Sequence, residues 1–251
     1  MTKALVVFAL KEEFAPWRRR HRFHPAMVSP HRVYAASIGP LEAYAAIVGA
    51  GAPDARLLDE FTKQVNPALG IVAGVAAGLK PQWRTGDLVA AQSVAGLDSE
   101  AGIDSDPRLV SVAIECGAKP CATLITLPRI VRTVKEKTRL AAQGDAADME
   151  SLPLLKSWSF PSLALRVVLD PVEMPMTCDF DQAMDAHGQV RIARIVAQLA
   201  RQPQLLPDFL RLARQSRRCL AILAGFLDKL FERLATQSGP FTPSAEHPRR
   251  S

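Results

Sequence analysis

Three carboxylates, Glu13, Glu150 and Asp170, stand where apolar, strand-like runs of the chain end. In an α/β sheet the strand ends lie beside loops that form ligand sites, so these acids could face one pocket. Carboxyl groups in a shared pocket can donate protons and stabilise positive charge. The structural alternative is that acids at strand ends are solvated and cap the helices that follow.

The order of the predicted elements favours an α/β fold. Apolar runs bounded by Gly, Pro or polar residues predict strands, and stretches with helical spacing lie between them. The predicted strands are 4–10, 31–38, 68–75, 87–94, 121–127, 146–149 and 162–170. The predicted helices are 12–20, 41–48, 54–64, 107–116, 131–143 and a segment from 150. This alternation predicts a three-layer α/β/α arrangement around a mixed central sheet.

The C-terminal quarter differs from the rest in charge. Residues 191–251 carry 11 Lys+Arg against 4 Asp+Glu, whereas residues 1–190 are nearly neutral. From about Gly188 the pattern predicts helices only, with an apolar side and a basic side. We therefore expect an α/β domain over 1–187, a basic amphipathic helical extension over 188–236, and a disordered tail over 237–251.

The extension has two interpretations. Its apolar side could pack on the α/β domain or on a second subunit. Alternatively it could lie on an anionic membrane surface, because CLAILAGFL (219–227) is apolar almost all round and is flanked by Arg217, Arg218 and Lys229. A nucleic-acid partner is not expected, since aromatic residues do not alternate with the arginines.

Composition narrows the class of protein. A chain of 251 residues that is 48% hydrophobic can bury a substantial core. Its four cysteines show no CxxC or metal-ligand spacing, so we expect reduced thiols in a cytoplasmic protein and no metal site. The apolar run at the N-terminus is short and is followed at once by charged residues, which predicts a first strand rather than a signal peptide. No apolar run reaches the length of a membrane span.

Four segments, in order, resemble the nucleoside phosphorylase and nucleosidase superfamily, which includes purine nucleoside phosphorylases and methylthioadenosine/S-adenosylhomocysteine nucleosidase. They are ALKEEF (9–14), SIGPLEAYAA (37–46), GVAAGLKPQWRTGDLV (74–89), and DMES with LRVVLD (148–170). The order and spacing of all four give the resemblance its specificity, and it covers roughly residues 4–175.

Three further marks resemble the hopanoid-associated phosphorylase branch, which is thought to act on adenosylhopane. The chain reads DMES at 148–151, has Pro171 directly after Asp170, and continues into a helix of the LPDFLRLARQSRR kind. The resemblance therefore implies an enzyme that removes adenine from a nucleoside attached to a lipid.

The resemblance also assigns roles to single residues. Asp170 would be the general acid that protonates purine N7, and burial would suit it by raising its pKa. Glu13 would activate water, and Glu150 would hold the ribose hydroxyls and stabilise positive charge on the sugar. Arg166 would orient a carboxylate, and Gly39 would contact a phosphate. The other predicted substrate-binding residues are Met149, Ala76, Ala77, Gly78, Ile130 and Val131.

No metal or organic cofactor is implied, although phosphate could be a co-substrate. Glu13 favours water over phosphate as the nucleophile. We expect a homodimer, because members of the superfamily usually form oligomers, located in the cytoplasm or at the inner face of the cytoplasmic membrane. Two alternatives stay open: a soluble nucleosidase for methylthioadenosine or a related nucleoside, and a membrane-attached protein that binds nucleosides without cleaving them.

Overall fold

The computed structural model describes residues 1–26, 33–51, 56–97, 102–176, 198 and 200–236, with a ten-stranded mixed sheet at the centre. The strands are β1 Thr2–Phe8, β2 His24–Pro25, β3 Val33–Ile38, β4 Leu41–Ile47, β5 Leu69–Gly78, β6 Leu88–Gly96, β7 Ile103–Asp104, β8 Lys119–Thr126, β9 Ala146–Asp148 and β10 Ser162–Asp170. The helices are α1 Lys11–Arg20, α2 Arg56–Val65, α3 Pro107–Glu115, α4 Val134–Leu140, α5 Ser151–Ser157 and α6 Leu206–Thr236, with a 3-10 helix at Pro203–Leu205.

The strand pairing brings several strand ends to one edge of the sheet. Strand β5 pairs in parallel with β1 and β10, and β1 pairs in parallel with β4. Strands β5, β10, β6, β8 and β9 form a closed circuit of pairings, in which β9 runs antiparallel to β5. The C-terminal ends of β1, β5 and β10 therefore lie at the same edge, and β9 begins at this edge and runs away from it, because its first residue pairs with Gly78.

Alternate side chains of the strands point to two separate cores, as the pleat of a strand requires. On β1, Val6 and Phe8 face a core that includes residues of α1, α3 and α6. Leu5 and Val7 face the other core, which includes residues of α2 and α5. Helices thus cover both faces of a mixed sheet, and the predicted fold class is confirmed.

One predicted helix is wrong: residues 41–48 contain strand β4. The segment LEAYAAI is rich in alanine, which favours a helix when the segment is considered alone. In the folded chain β4 lies between β1 and β3 and pairs with both, so backbone pairing outweighs local propensity. Gly39 and Pro40 form the turn of the β3–β4 hairpin, and Gly39 has a positive φ of 57° that suits this turn. The other predicted strands and helices are present, with shifts at some ends.

Helix α6 packs its apolar side on the α/β body. Leu223, Leu227 and Phe231 are buried in the same core as residues of β1 and β10. Leu206, Leu210 and Ile222 are exposed on α6. Most of residues 188–199 and all of the expected disordered tail, 237–251, lie outside the described residues. In the part of the chain that the structure describes, no helix is both long and apolar enough to cross a membrane.

Asp228 connects α6 to α1. Its Oδ1 accepts a hydrogen bond from Trp17 Nε1 at 3.0 Å and lies 2.7 Å from His21 Nε2, and its Oδ2 pairs with Arg20. We expect Asp228→Ala to lower the free energy of unfolding by about 1–3 kcal/mol, because the buried Trp17 N–H loses its acceptor. Glu115→Ala, which removes an exposed ion pair with α6, should cost less than about 1 kcal/mol. Chemical denaturation measures both values, and equal losses would contradict this account.

Candidate functional site

The end of β5 lies between the strands that carry the predicted site acids. Ala77 pairs with Asp170 of β10 on one side and with Ala147 of β9 on the other. Met149 and Glu150 follow directly after β9. The register of three strands therefore places Asp170 and the Met149–Glu150 segment on either side of one strand end.

Glu13 is buried in the first turn of α1 and accepts hydrogen bonds from three backbone N–H groups in two segments of the chain. Its Oε2 accepts hydrogen bonds from the N–H groups of Ala9 at 2.9 Å and Leu10 at 3.0 Å. Its Oε1 accepts one from the N–H of Val75 on β5 at 3.1 Å. Burial raises the pKa of Glu13, and the positive charge of Arg166 and these three N–H groups oppose that rise. The side chain thus closes the start of a helix, as the structural alternative states, and also lies beside Arg166.

Arg166 contacts two carboxylates of the site. It is almost fully buried on β10, and its Nη2 lies 2.5 Å from Asp148 Oδ2 and 3.5 Å from Glu150 Oε2. The same nitrogen donates a hydrogen bond to Ser151 Oγ at 3.0 Å. These contacts place Arg166 where it can orient carboxylates, which is the role that the resemblance implies.

Glu150 accepts a second hydrogen bond from the N–H of Gly51 at 3.0 Å. Burial raises its pKa well above the ordinary value, the nearby charges of Asp148 and Glu13 raise it further, and Arg166 opposes the rise. Three buried carboxyl groups thus surround one guanidinium. When Glu13 and Glu150 are ionised, the cluster carries more negative than positive charge and can stabilise positive charge that develops on a bound molecule.

Gly74 has no side chain, and this leaves room for the side chains of the cluster to approach β5. A Cβ at Gly74 would overlap the Arg166 guanidinium and would lie 2.7 Å from Glu13 Oε1. We expect Gly74→Ala to lower the free energy of unfolding by about 1–3 kcal/mol, because the buried side chains must move. Gly225→Ala on α6 is the control: its Cβ would meet nothing within 4 Å, so it should be neutral or slightly stabilising. A denaturation midpoint for Gly74→Ala equal to that of the wild type would show that the cluster tolerates the methyl group.

Asp170 forms a second charged group with Lys137, a residue that the sequence analysis missed. Lys137 is fully buried on α4, and its Nζ lies 2.6 Å from Asp170 Oδ2. Burial raises the pKa of Asp170 to about 6, although the charge of Lys137 opposes the rise. A lysine in a charged helix is usually read as solvated. The sequence feature that could have identified Lys137 as buried is its position three residues before Leu140, which places both on the inward side of α4.

The strand end before Asp170 is irregular, and α6 helps to hold it. The pairing of β10 with β5 shifts register between Val168 and Asp170, so Leu169 forms a bulge. The carbonyl of Leu169 accepts hydrogen bonds from Thr85 Oγ1 at 3.2 Å and from Gln215 Nε2 of α6. Bulges of this kind turn a neighbouring side chain in a new direction, here that of Asp170.

The remaining predicted substrate-binding residues lie near these groups to different degrees. Ala76 and Gly78 are buried at the end of β5, and Met149 Cε lies 3.9 Å from the place of a Cβ on Gly51. Val131 packs in a small core with Leu140 of α4 and Ala147 of β9, and Ile130, the residue before it, is half buried.

The structure does not bring Gly39 to the site. Its hairpin precedes Leu41, which pairs with Thr2 at the start of β1, whereas Glu13 bonds to residues after the end of β1. Gly39 is thus at the opposite end of the sheet from the acids, and the phosphate contact predicted for it has no geometric support.

Gly49 and Gly51, after β4, are at the site instead. They have positive φ values of 94° and 90°, which glycine adopts without strain. The N–H of Gly49 donates to the carbonyl of Ala9, and Gly51 donates to Glu150. The sequence signal for this loop is a Gly-x-Gly turn between a strand and a helix. The prediction of a helix over 41–48 obscured this signal, because the turn then lay between two predicted helices.

Within the described ranges, no group of three His, Cys, Asp or Glu side chains could hold a metal ion. No protein-family model matches the chain, and no curated protein matches its sequence. Solved structures do match.

The 5′-methylthioadenosine/S-adenosylhomocysteine nucleosidase of Campylobacter jejuni aligns with a TM-score of 0.71 at 17% identity, covering 93% of this chain and 100% of that one. The native futalosine hydrolase of Helicobacter pylori aligns with a TM-score of 0.69 at 14% identity, covering 92% and 97%. The chain has the fold of these nucleosidases. Because the alignments omit fewer residues than α6 contains, at least part of α6 belongs to the shared fold.

Proposed function

We propose that the chain is a purine nucleosidase, an enzyme that breaks the N-glycosidic bond between a purine and ribose. The observation that carries the proposal is the burial of Glu13, Glu150 and Asp170 around the C-terminal end of β5. The fold supports it, since one structural neighbour, a mutant of the Helicobacter pylori nucleosidase, was solved with 5′-methylthioadenosine in its active site.

In the proposed reaction each of the three acids has one role. Asp170 donates its proton to N7 of the base, and the bond from C1′ to N9 breaks with its electron pair moving to the base. Glu150 accepts hydrogen bonds from the ribose hydroxyls, and the cluster around Arg166 stabilises the positive charge on the sugar. Water then bonds to C1′ and loses a proton to Glu13. Exchange with solvent returns a proton to Asp170 and removes one from Glu13.

The test is adenine release from methylthioadenosine by the wild-type chain, with and without phosphate. Release at the same rate in both conditions supports a nucleosidase with water as nucleophile. Release that requires phosphate would make the chain a phosphorylase and would remove the role of Glu13 as the base. If adenine is released from neither methylthioadenosine nor adenosylhopane, the proposal is wrong.

The finer proposal is that the substrate is adenosylhopane, as in the hopanoid-associated branch. A cavity of about 340 Å³ is lined by Leu97, Leu127, Pro128 and Leu140 and by the polar or charged Arg129, Thr133, Lys135, Glu136 and Arg139. Leu127 follows Thr126, whose hydroxyl donates to Asp148 at 2.7 Å. The leucines of this mixed lining are the apolar surface that an apolar group on the ribose would contact. Exposed leucine and isoleucine side chains among the arginines of α6 would suit the surface of an anionic membrane.

A second candidate is a nucleosidase for soluble nucleosides such as methylthioadenosine. The extension of the structural alignments into α6 favours this second candidate. The presence of the helix can then be explained without a lipid substrate. The two candidates differ in what the exposed apolar residues of α6 do.

We therefore expect the double variant Leu210→Ser, Ile222→Ser to lose about tenfold in kcat/KM for adenosylhopane in anionic phospholipid vesicles. Cleavage of methylthioadenosine in solution should not change. Ala221→Ser, at an exposed position of the same helix, is the control. Cleavage of methylthioadenosine alone by the wild type would establish the soluble candidate.

Homodimer formation is part of the same proposal. Sedimentation equilibrium should then give a mass of twice the 27.3 kDa of the chain. A mass of one chain at the concentrations used in the assay would exclude a dimer as the active form.

A further inference from the structure

The ammonium group of Lys137 is enclosed by acceptors. Besides Asp170 Oδ2, its Nζ contacts the backbone carbonyls of Asp170 at 3.1 Å, Pro171 at 3.0 Å and Met174 at 2.7 Å. A buried charge is costly unless it is paired and hydrogen-bonded, and here both conditions hold. Three of the four contacts fix the backbone that follows β10, and the fourth fixes the carboxyl group itself.

We infer that Lys137 is a positioning residue for Asp170, holding Oδ2 so that Oδ1 delivers the proton to the base. The inference rests on the proposed function. When Asp170 gives up its proton it becomes an anion in a buried place, and the adjacent ammonium compensates this charge. Lys137 would thereby make Asp170 a stronger acid and hold it in one orientation.

The other groups that face Asp170 do not supply this charge. Cys219 of α6 is near the same strand end, where its Sγ lies 3.6 Å from the carbonyl of Val168. Burial raises the pKa of this thiol to about 11, so it stays neutral in the physiological range. Among the described side chains that act on Asp170, Lys137 is the one that is ionised.

The test is Lys137→Met, which keeps the length of the side chain and removes the charge. With methylthioadenosine as substrate we expect kcat to fall about 10- to 100-fold and the alkaline limb of the pH–rate profile to move up by about one pH unit or more. Lys156→Met, at an exposed lysine of α5, should change neither quantity. A fall in kcat with an unmoved alkaline limb would overturn the inference, since a purely structural role predicts that result.

A second measurement does not depend on activity or on the stability of the Lys137 variant. In the wild-type chain labelled with ¹⁵N-lysine and ¹³C-aspartate, the Nζ signal of Lys137 should move with the same midpoint as the carboxyl signal of Asp170. The movement should vanish in Asp170→Asn, and different midpoints would overturn the inference. If the wild type cleaves no nucleoside, the proposed function fails, whereas these titrations still decide whether the two groups are coupled.

Discussion

Asp170→Asn is expected to lower kcat for adenine release by about 100- to 10,000-fold with little change in KM. Asparagine keeps the shape of the side chain and can still accept a hydrogen bond from Lys137, but it cannot give a proton to N7. Asp104→Asn, the same substitution at an exposed aspartate of β7, should have no effect. Residual activity of more than about a tenth of the wild type would show that Asp170 is not the general acid.

The pH dependence should identify the same group. Asp170 must be protonated to act, and burial raises its pKa to about 6, so the rate should decrease as pH rises through about 6. The folded-state pKa lies above the unfolded value, so the protonated form favours folding below the unfolded pKa. That contribution is lost as pH rises through about 6. Asp170→Asn cannot ionise, so the loss of stability that the wild type shows as pH rises through about 6 should be absent from this variant.

The sequence allowed most of the fold to be predicted where local pattern and tertiary pairing agree. Strand β10 has the predicted bounds because its residues other than Ser162, Arg166 and Asp170 are apolar and it is buried on both faces. The segment 41–48 failed because its composition favours a helix, and only its two neighbouring strands make it β4. The error also misplaced the glycine loop, because Gly39 was read as the end of a strand that precedes a helix.

The candidate site was predictable where the residue type itself indicates a chemical role, as with Glu150 and Asp170. It was not predictable where a role depends on contacts between distant parts of the chain. Gly51 bonds to Glu150 across 99 residues of sequence, and Lys137 bonds to the backbone of Asp170 across 33. No local pattern specifies such contacts, because they arise only when the sheet brings the strand ends together.

Glu13→Gln is expected to lower kcat for hydrolysis by about 100- to 10,000-fold, because an amide cannot take the proton from water. It should also lower the free energy of unfolding by about 1–3 kcal/mol. Both oxygens of Glu13 accept backbone N–H groups, those of Ala9 and Leu10 on one side and of Val75 on the other. Glutamine has one carbonyl oxygen, so its amide N–H₂ must face at least one N–H donor.

The two effects of Glu13→Gln can be separated. Assays well below the Tm of the variant report on the chemistry, and chemical denaturation reports on the lost acceptor. Glu12→Gln, an exposed position one residue earlier, should change neither value. A variant that loses stability but keeps phosphate-independent hydrolysis would show that Glu13 only closes the start of α1. Three N–H groups occupy three of the about four lone-pair positions of the Glu13 carboxylate, so one position remains to accept the proton of the attacking water.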